Sequence, residues 1–308
     1  METEGKRARV LICDKIADIG IEMLQKHAEV DVRTGLGPEE LMAIIGDYEA
    51  VVVRSATRIR SNIIEHGRRL NVIGRAGAGL DNIDVEAARE RGIKVVNCPD
   101  ANTVAVAELT LALLLGLARH LPRADASMKA GRWAKKELMG TGLVGKTLGL
   151  IGFGRIGRQV AIRAGAFGMK VLAYQRRPNP EVNRELGVEA VDLAELLPQS
   201  DFVSLHVPAS PATEKLIGAE QLAQMKPTAY LINTARGAVV DEAALLEALN
   251  AGQIAGAALD VYAQEPVVDS ALARHERVIA TPHIAASTED AQHLAAVTVV
   301  EQIIEILR

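Results

Sequence analysis

The first hundred residues alternate short β-branched runs with stretches whose apolar positions recur every three or four residues. The runs "RVLIC" (9–13), "VDVR" (30–33), "AVVVR" (50–54), "NVIGR" (71–75) and "IKVVN" (93–97) read as strands. Between them "IADIGIEMLQKHA", "PEELMAIIGD", "NIIEHGRRL" and "DVEAARERG" carry helical spacing. Strands that alternate with helices predict a parallel sheet covered on both faces, because a helical crossover returns the chain to the same end of the sheet. After "NCPDAN" a long apolar stretch predicts a buried helix over about 103–121, followed by a helical segment through Trp133.

A second alternating series begins at Lys146. Its strands are "TLGLIG", "KVLAY", "VEAVD", "FVSLHV", "AYLINT", "AGAALDVY" and "RVIATPH", separated by helices such as "RIGRQVAIRAGAFG" and "DEAALLEALNAG". The final stretch, "TEDAQHLAAVTVVEQIIEILR", reads as one amphipathic helix with no strand of its own. It must pack elsewhere, and the first α/β unit is the candidate. The expected fold is therefore α/β, with two doubly wound parallel-sheet units of Rossmann-like or flavodoxin-like type.

Composition narrows the function classes. The chain has 308 residues, enough for two domains. A net charge of -4 argues against a nucleic-acid surface, which needs a basic face. The start, "METEGKRARV", lacks an apolar signal core, and the most apolar window, "LTLALLLGLA", is about half the length that a bilayer demands. A cytoplasmic protein without nucleic-acid or membrane partners is expected. Cys13 and Cys98 are far apart, end apolar runs and lack metal-ligand spacing, so neither a disulfide nor a metal site is expected.

The stretch "TLGLIGFGRIGRQV" places Gly152, Gly154 and Gly157 in G-x-G-x-x-G spacing between a strand and an amphipathic helix. Such a turn brings a pyrophosphate onto the N-terminal N–H groups of the helix. An acid normally ends the next strand, where it accepts from both ribose hydroxyls and repels a 2′-phosphate. Here "KVLAY" is followed by Gln175, Arg176 and Arg177, eighteen positions after Gly157 at the first. The repulsion is gone, and two guanidiniums can hold a phosphate through charge-assisted bonds. NADP(H) is the favoured cofactor on this reading, with NAD(H) the alternative.

Three further strand ends carry polar chemistry: Arg236 after "INTA", Glu265 after "LDVYAQ" and His283 after "IATP". Open parallel sheets build their sites at these carboxyl ends. Hydride transfer from a 2-hydroxy acid needs a base for the hydroxyl proton, a cation for the carboxylate and an acid that orients the base. Histidine, arginine and glutamate supply those groups. The other histidines read as structural.

Together "VVVRSAT", "VIGRAGAGLDNID", "ASMKAGRW", "GKTLGLIGFGRIGR", "INTARGAVVDE", "GAALDVYAQEP" and "TPHIAASTEDAQ" resemble the D-isomer-specific 2-hydroxyacid dehydrogenases, from about residue 8 to the end. The resemblance implies that His283 is the acid/base, Glu265 its partner and Arg236 the carboxylate-binding arginine. It also implies a pyrophosphate turn of Gly152, Gly154, Arg155, Ile156 and Gly157, and cofactor contacts from Ala78, Val207, Thr234, Ala235 and Asp260. Arg54, Ser55, Gly77 and Asn102 would face the substrate, with Arg54 and Lys135 or Arg132 able to neutralise a substrate phosphate. The implied layout is a discontinuous catalytic domain, 1–100 plus 288–308, with a cofactor domain over 101–287 and a cleft between them. It implies a homodimer, with the helix at 103–121 and the Trp133 segment as its interface.

The implied substrate is a small 2-hydroxy or 2-keto acid, first 3-phosphoglycerate, with NADPH-linked reduction of glyoxylate or hydroxypyruvate as the alternative. A third reading, an NAD(H)-sensing corepressor without turnover, shares the family fold. The sequence ends at Arg308, so feedback through the C-terminal regulatory domains that some family members carry is not expected.

Overall fold

The computed structural model describes residues 7–308, and residues 1–6 of the stretch expected to lack a signal core lie outside them. Contacts divide the chain into two compact units. One holds the chain up to Asn102 together with Ala286–Arg308, and the other holds Thr103–Ala285.

The first unit alternates β1 (Arg9–Ile12), α1 (Asp18–Gln25), β2 (Glu29–Val32), α2 (Pro38–Ile44), β3 (Ala50–Val53), α3 (Ser61–His66), β4 (Val72–Arg75), α4 (Val85–Glu90) and β5 (Lys94–Asn97). Its sheet is wholly parallel in the order β2-β1-β3-β4-β5, so chain direction across the sheet reverses between β1 and β3. Position sets sequence here. Central β3 is buried at every residue and reads AVVV, whereas edge strands β2 and β5 begin on exposed Glu29 and Lys94.

The second unit opens with α5 (Thr103–Ala118) and α6 (Leu121–Lys129). It continues through β6 (Thr147–Ile151), α7 (Arg155–Ala166), β7 (Lys170–Tyr174), α8 (Pro180–Glu185), β8 (Val188–Ala190), α9 (Leu193–Gln199), β9 (Phe202–Leu205), α10 (Ala219–Gln224), β10 (Tyr230–Asn233), α11 (Glu242–Asn250), β11 (Gly256–Leu259) and β12 (Val278–Ala280). The sheet order is β12-β11-β10-β9-β6-β7-β8, again wholly parallel, with its switch between β6 and β9. The helix expected over 103–121 stops at Ala118. His120 takes a left-handed φ of 52°, and α6 leaves at 65° to α5. No single helix among the described residues is long and apolar enough to cross a membrane.

The last helix, α12 (Glu289–Leu307), belongs to the first unit. Thr288 caps it, accepting from the Ala291 N–H at 3.2 Å. Its buried stripe of Ala295, Ala296, Val299, Val300 and Ile303 packs against Val10, Ile12, Val52 and Val72 of the sheet. The approach is close enough that a Cβ at Gly74, in β4, would lie 2.9 Å from Val299 Cγ2. Glycine in a strand interior is otherwise unfavourable, and the helix contact explains it. Cys13 and Cys98 are buried free thiols, and burial pushes their pKa values up to about 12 and about 11.

Candidate active site

The glycine turn follows β6 at the sheet's switch point, where parallel folds bind ligands. Gly152 has a φ of 99°, and a side chain there would run into the His206 carbonyl. A Cβ at Gly157 would strike the Gly152 carbonyl oxygen, so this glycine lets α7 sit against the turn. Gly154 differs from both, because a Cβ there would meet no protein atom within 4 Å. The fold does not need glycine at 154, but a pyrophosphate lying against the backbone does, and the turn fits such a ligand. Arg155 and Ile156 open α7, and Val207 packs over Gly152 from the end of β9.

Gln175 directly follows β7 beside this turn, because the Gly152 N–H donates to the Tyr174 carbonyl (2.9 Å). Its amide nitrogen donates to Asn183 Oδ1 at 3.1 Å. Arg176 and Arg177 next to it are exposed.

The catalytic candidates lie on neighbouring strand ends, β10, β11 and β12. His283 Nδ1 and Glu265 Oε2 are 2.6 Å apart, and Glu265 Oε1 accepts from the Tyr262 N–H at 3.0 Å. Both oxygens of the carboxylate are thus committed, one to the backbone and one to the imidazole. The side chains remain 46% and 34% exposed, so a small substrate can reach the ring. His283 holds a left-handed φ of 52°, an unusual conformation for a non-glycine residue. Asp260, fully buried, explains how it is kept there. Its Oδ1 accepts from Thr281 Oγ1 (2.6 Å) and the Ile284 N–H (2.8 Å), and its Oδ2 accepts from the Ala285 N–H (2.9 Å). The segment on either side of His283 is clamped by one carboxylate.

Arg236 extends from the end of β10. The Asn233 side chain braces the turn, donating to the Arg236 carbonyl (3.0 Å) and accepting from the Ala235 N–H (3.0 Å). Arg236 Nη1 itself donates to the Ala235 carbonyl at 2.7 Å. Thr234 is buried and shares a 2.8 Å hydrogen bond with fully buried Thr110 of α5. His206, read as structural, bonds Ser204 Oγ through Nε2 at 2.9 Å, while its Nδ1 is sealed from solvent without a partner. The residue as a whole keeps some surface, yet burial of its ring lowers the pKa to about 3 and keeps it neutral.

The remaining expected residues belong to the first unit. Arg54 and Ser55 follow β3, Gly77 and Ala78 follow β4, and Asn102 ends the unit with its Oδ1 buried and unbonded. The Arg54 loop is built by Asp14, a residue the sequence reading passed over. Asp14 accepts from the Arg54 N–H (2.5 Å), the Thr57 N–H (3.2 Å) and Thr57 Oγ1 (2.7 Å). Asn82 Nδ2 closes the same loop by donating to the Arg54 and Thr57 carbonyls. An acid two positions past the end of β1, at the switch of that sheet, was the available signal. No group of three or more His, Cys, Asp or Glu side chains is placed to hold a metal among the described residues.

A dinucleotide turn at the switch of one parallel sheet, with an oriented imidazole and a guanidinium at strand ends on one side of that switch, is the equipment of a nicotinamide-linked oxidoreductase. Comparison with known proteins makes the class specific. Residues 111–285 match the family model for the D-isomer specific 2-hydroxyacid dehydrogenase NAD binding domain. The chain is 49% identical to the D-3-phosphoglycerate dehydrogenase of Synechocystis sp. over 97% of its length and 54% of the relative's. Among solved structures, the TT0316 protein of Thermus thermophilus superposes with a TM-score of 0.91 at 38% identity, covering 97% of this chain and 96% of that one. A glyoxylate reductase from Paecilomyes thermophila superposes with a TM-score of 0.90 at 33% identity, covering 98% and 96%. The chain belongs to the D-isomer-specific 2-hydroxyacid dehydrogenase family, and it spans about half the length of the curated relatives it matches.

Proposed function

We propose that this chain is a cytoplasmic D-2-hydroxyacid dehydrogenase that interconverts 3-phosphoglycerate and 3-phosphohydroxypyruvate and prefers NADP(H) to NAD(H). The observation that carries the reading is the 2.6 Å pairing of His283 Nδ1 with a Glu265 carboxylate that the Tyr262 N–H already anchors. With Nδ1–H directed at Glu265, Nε2 is the nitrogen left to take the substrate hydroxyl proton. Arg236 binds the substrate carboxylate and, in the reducing direction, polarises the keto oxygen. Bound nicotinamide supplies the hydride acceptor or donor at the substrate C2.

Cofactor binding is assigned to Gly152, Gly154, Arg155, Ile156 and Gly157 for the pyrophosphate. Val207, Thr234, Ala235, Asp260 and Ala78 are assigned to the nicotinamide side, and Gln175, Arg176 and Arg177 to the adenosine ribose and its 2′-phosphate. Substrate binding is assigned to Arg54, Ser55, Gly77 and Asn102. The unit that contains α12 is accordingly the catalytic domain, and the Thr103–Ala285 unit the cofactor domain. A homodimer accompanies this reading, formed through the apolar side chains exposed between Leu121 and Val144.

A second reading, reduction of glyoxylate or hydroxypyruvate with NADPH, is favoured by Gln175-Arg176-Arg177 standing where the ribose-binding acid belongs. Initial rates on phosphorylated and unphosphorylated 2-keto acids, with NADH and NADPH in parallel, separate the two. The first reading expects the highest kcat/KM on 3-phosphohydroxypyruvate with NADPH. Turnover confined to unphosphorylated acids would eliminate it, and a higher kcat/KM with NADH would eliminate the cofactor preference.

A further inference from the structure

Gln175 stands beside the glycine turn, and its amide is held from one side. Its Nε2 donates to Oδ1 of Asn183 at 3.1 Å, and Asn183 is only 6% exposed. Asn183 lies on α8, which starts with Pro180 and is capped by Asn179, whose Oδ1 accepts from the Glu181 and Val182 N–H groups at 3.1 and 3.3 Å. The segment from 175 to 183 is thus a closed loop in which the buried amide of Asn183 holds the half-buried amide of Gln175.

A bond between two primary amides differs from a bond between an amide and a carboxylate. Each end carries one acceptor and one NH2 group, so both amides can turn over together and the hydrogen bond survives with donor and acceptor exchanged. In one state Gln175 shows its carbonyl oxygen to the cofactor side, and in the other its NH2. A ribose 2′-hydroxyl can donate to the carbonyl. A 2′-phosphate, which mainly accepts, pairs with the NH2.

We propose that Asn183 is the specificity-determining partner of Gln175 and that the amide pair reads both forms of the cofactor, carbonyl outward for NAD(H) and NH2 outward for NADP(H). Arg176 and Arg177 then add the charge that tips the preference toward the phosphate. Asn183 is a positioning residue, acting only through Gln175. The proposal rests on the assignment of residues 175–177 to the ribose end of the cofactor.

Asn183→Asp tests it, since aspartate keeps the size and the acceptor but removes the donor and so locks the carbonyl outward. Calorimetric Kd values for 2′,5′-ADP and for ADP read the effect without turnover. The variant is expected to bind 2′,5′-ADP about tenfold more weakly while ADP changes by less than about twofold. Added charge alone would also weaken the phosphate ligand, so the substitution is repeated in a Gln175→Ala background. There the loss should shrink by about fivefold, because the locked amide is gone. If aspartate does not fold at 183, Asn183→Ala serves in the same cycle, with a loss of about fivefold that disappears without Gln175. Equal losses in both backgrounds overturn the proposal. Should Arg176→Ala/Arg177→Ala leave 2′,5′-ADP affinity unchanged, the ribose-end assignment is what fails, and the amide-pair proposal falls with it.

Discussion

His283 is held in a backbone conformation that few side chains adopt, and two carboxylates hold it there. Asp260 fixes the main chain around it and Glu265 fixes the ring. Glu265→Gln isolates the second effect. The glutamine carbonyl would still accept from the Tyr262 N–H, which leaves an NH2 group facing Nδ1. Nδ1 must then become the acceptor, and the proton moves to Nε2, the nitrogen that has to be bare in order to act as base. A fall in kcat of about a hundredfold is expected, with cofactor Kd and the urea midpoint unchanged. A kcat near that of the parent would remove Glu265 from the mechanism. Arg236, Glu265 and His283 could be picked out as candidates in the sequence because each lies within a few positions of the end of a strand-like run. Asp14, Asn82, Thr110 and Asn183 were not, since their partners lie far along the chain or around a loop whose path no periodicity reports. Thr110 and Thr234, for example, are separated by 124 positions.

At the scale of elements, the glycine turn separates what the fold requires from what a ligand requires. Gly157→Ala forces a Cβ against the Gly152 carbonyl and should destabilise the protein by about 1–3 kcal/mol, read from the urea midpoint. Gly154→Ala meets open space and costs only the poorer N-capping of alanine, so it should lower stability by no more than about 1 kcal/mol, yet weaken dinucleotide binding measured by calorimetry. Unaltered binding in that variant would mean that the pyrophosphate lies elsewhere. Strands were the most legible elements, because β-branched runs bounded by turn residues are rarely anything else. Helix ends were less so. The apolar stretch past Ala118 continues without a break in hydropathy, and nothing in its pattern announces the left-handed turn at His120 that ends α5. The apolar character of α5 proved to serve its own unit, where Leu111, Leu113, Leu114 and Leu117 pack with Leu148, Leu150 and Val160.

For the whole molecule, that burial shifts attention from α5 to the segment after it. Leu121, Met128, Trp133, Met139 and Val144 all expose more than half of their surface, with Trp133 at 79% and Val144 at 84%. The proposed homodimer would bury these side chains. Trp133→Ser together with Met139→Ser should lower the mass found by light scattering from that of a dimer to that of a monomer. A parent protein that already runs as a monomer at micromolar concentration would refute the homodimer. The seven-stranded sheet could be read strand by strand from local pattern. The placement of α12 could be read only by elimination, from a helix left without a strand to follow.

That placement bears on how the chain comes off the ribosome. The sheet of the first unit is made early, but the stripe that shields Val10, Ile12, Val52 and Val72 comes from residues synthesised more than two hundred positions after β4. Until then one face of that sheet stays wet, while the Thr103–Ala285 unit already has every strand and helix it needs. Synthesis order and folding order are thus inverted: the Thr103–Ala285 unit can mature first, while β1 to β5 wait for α12.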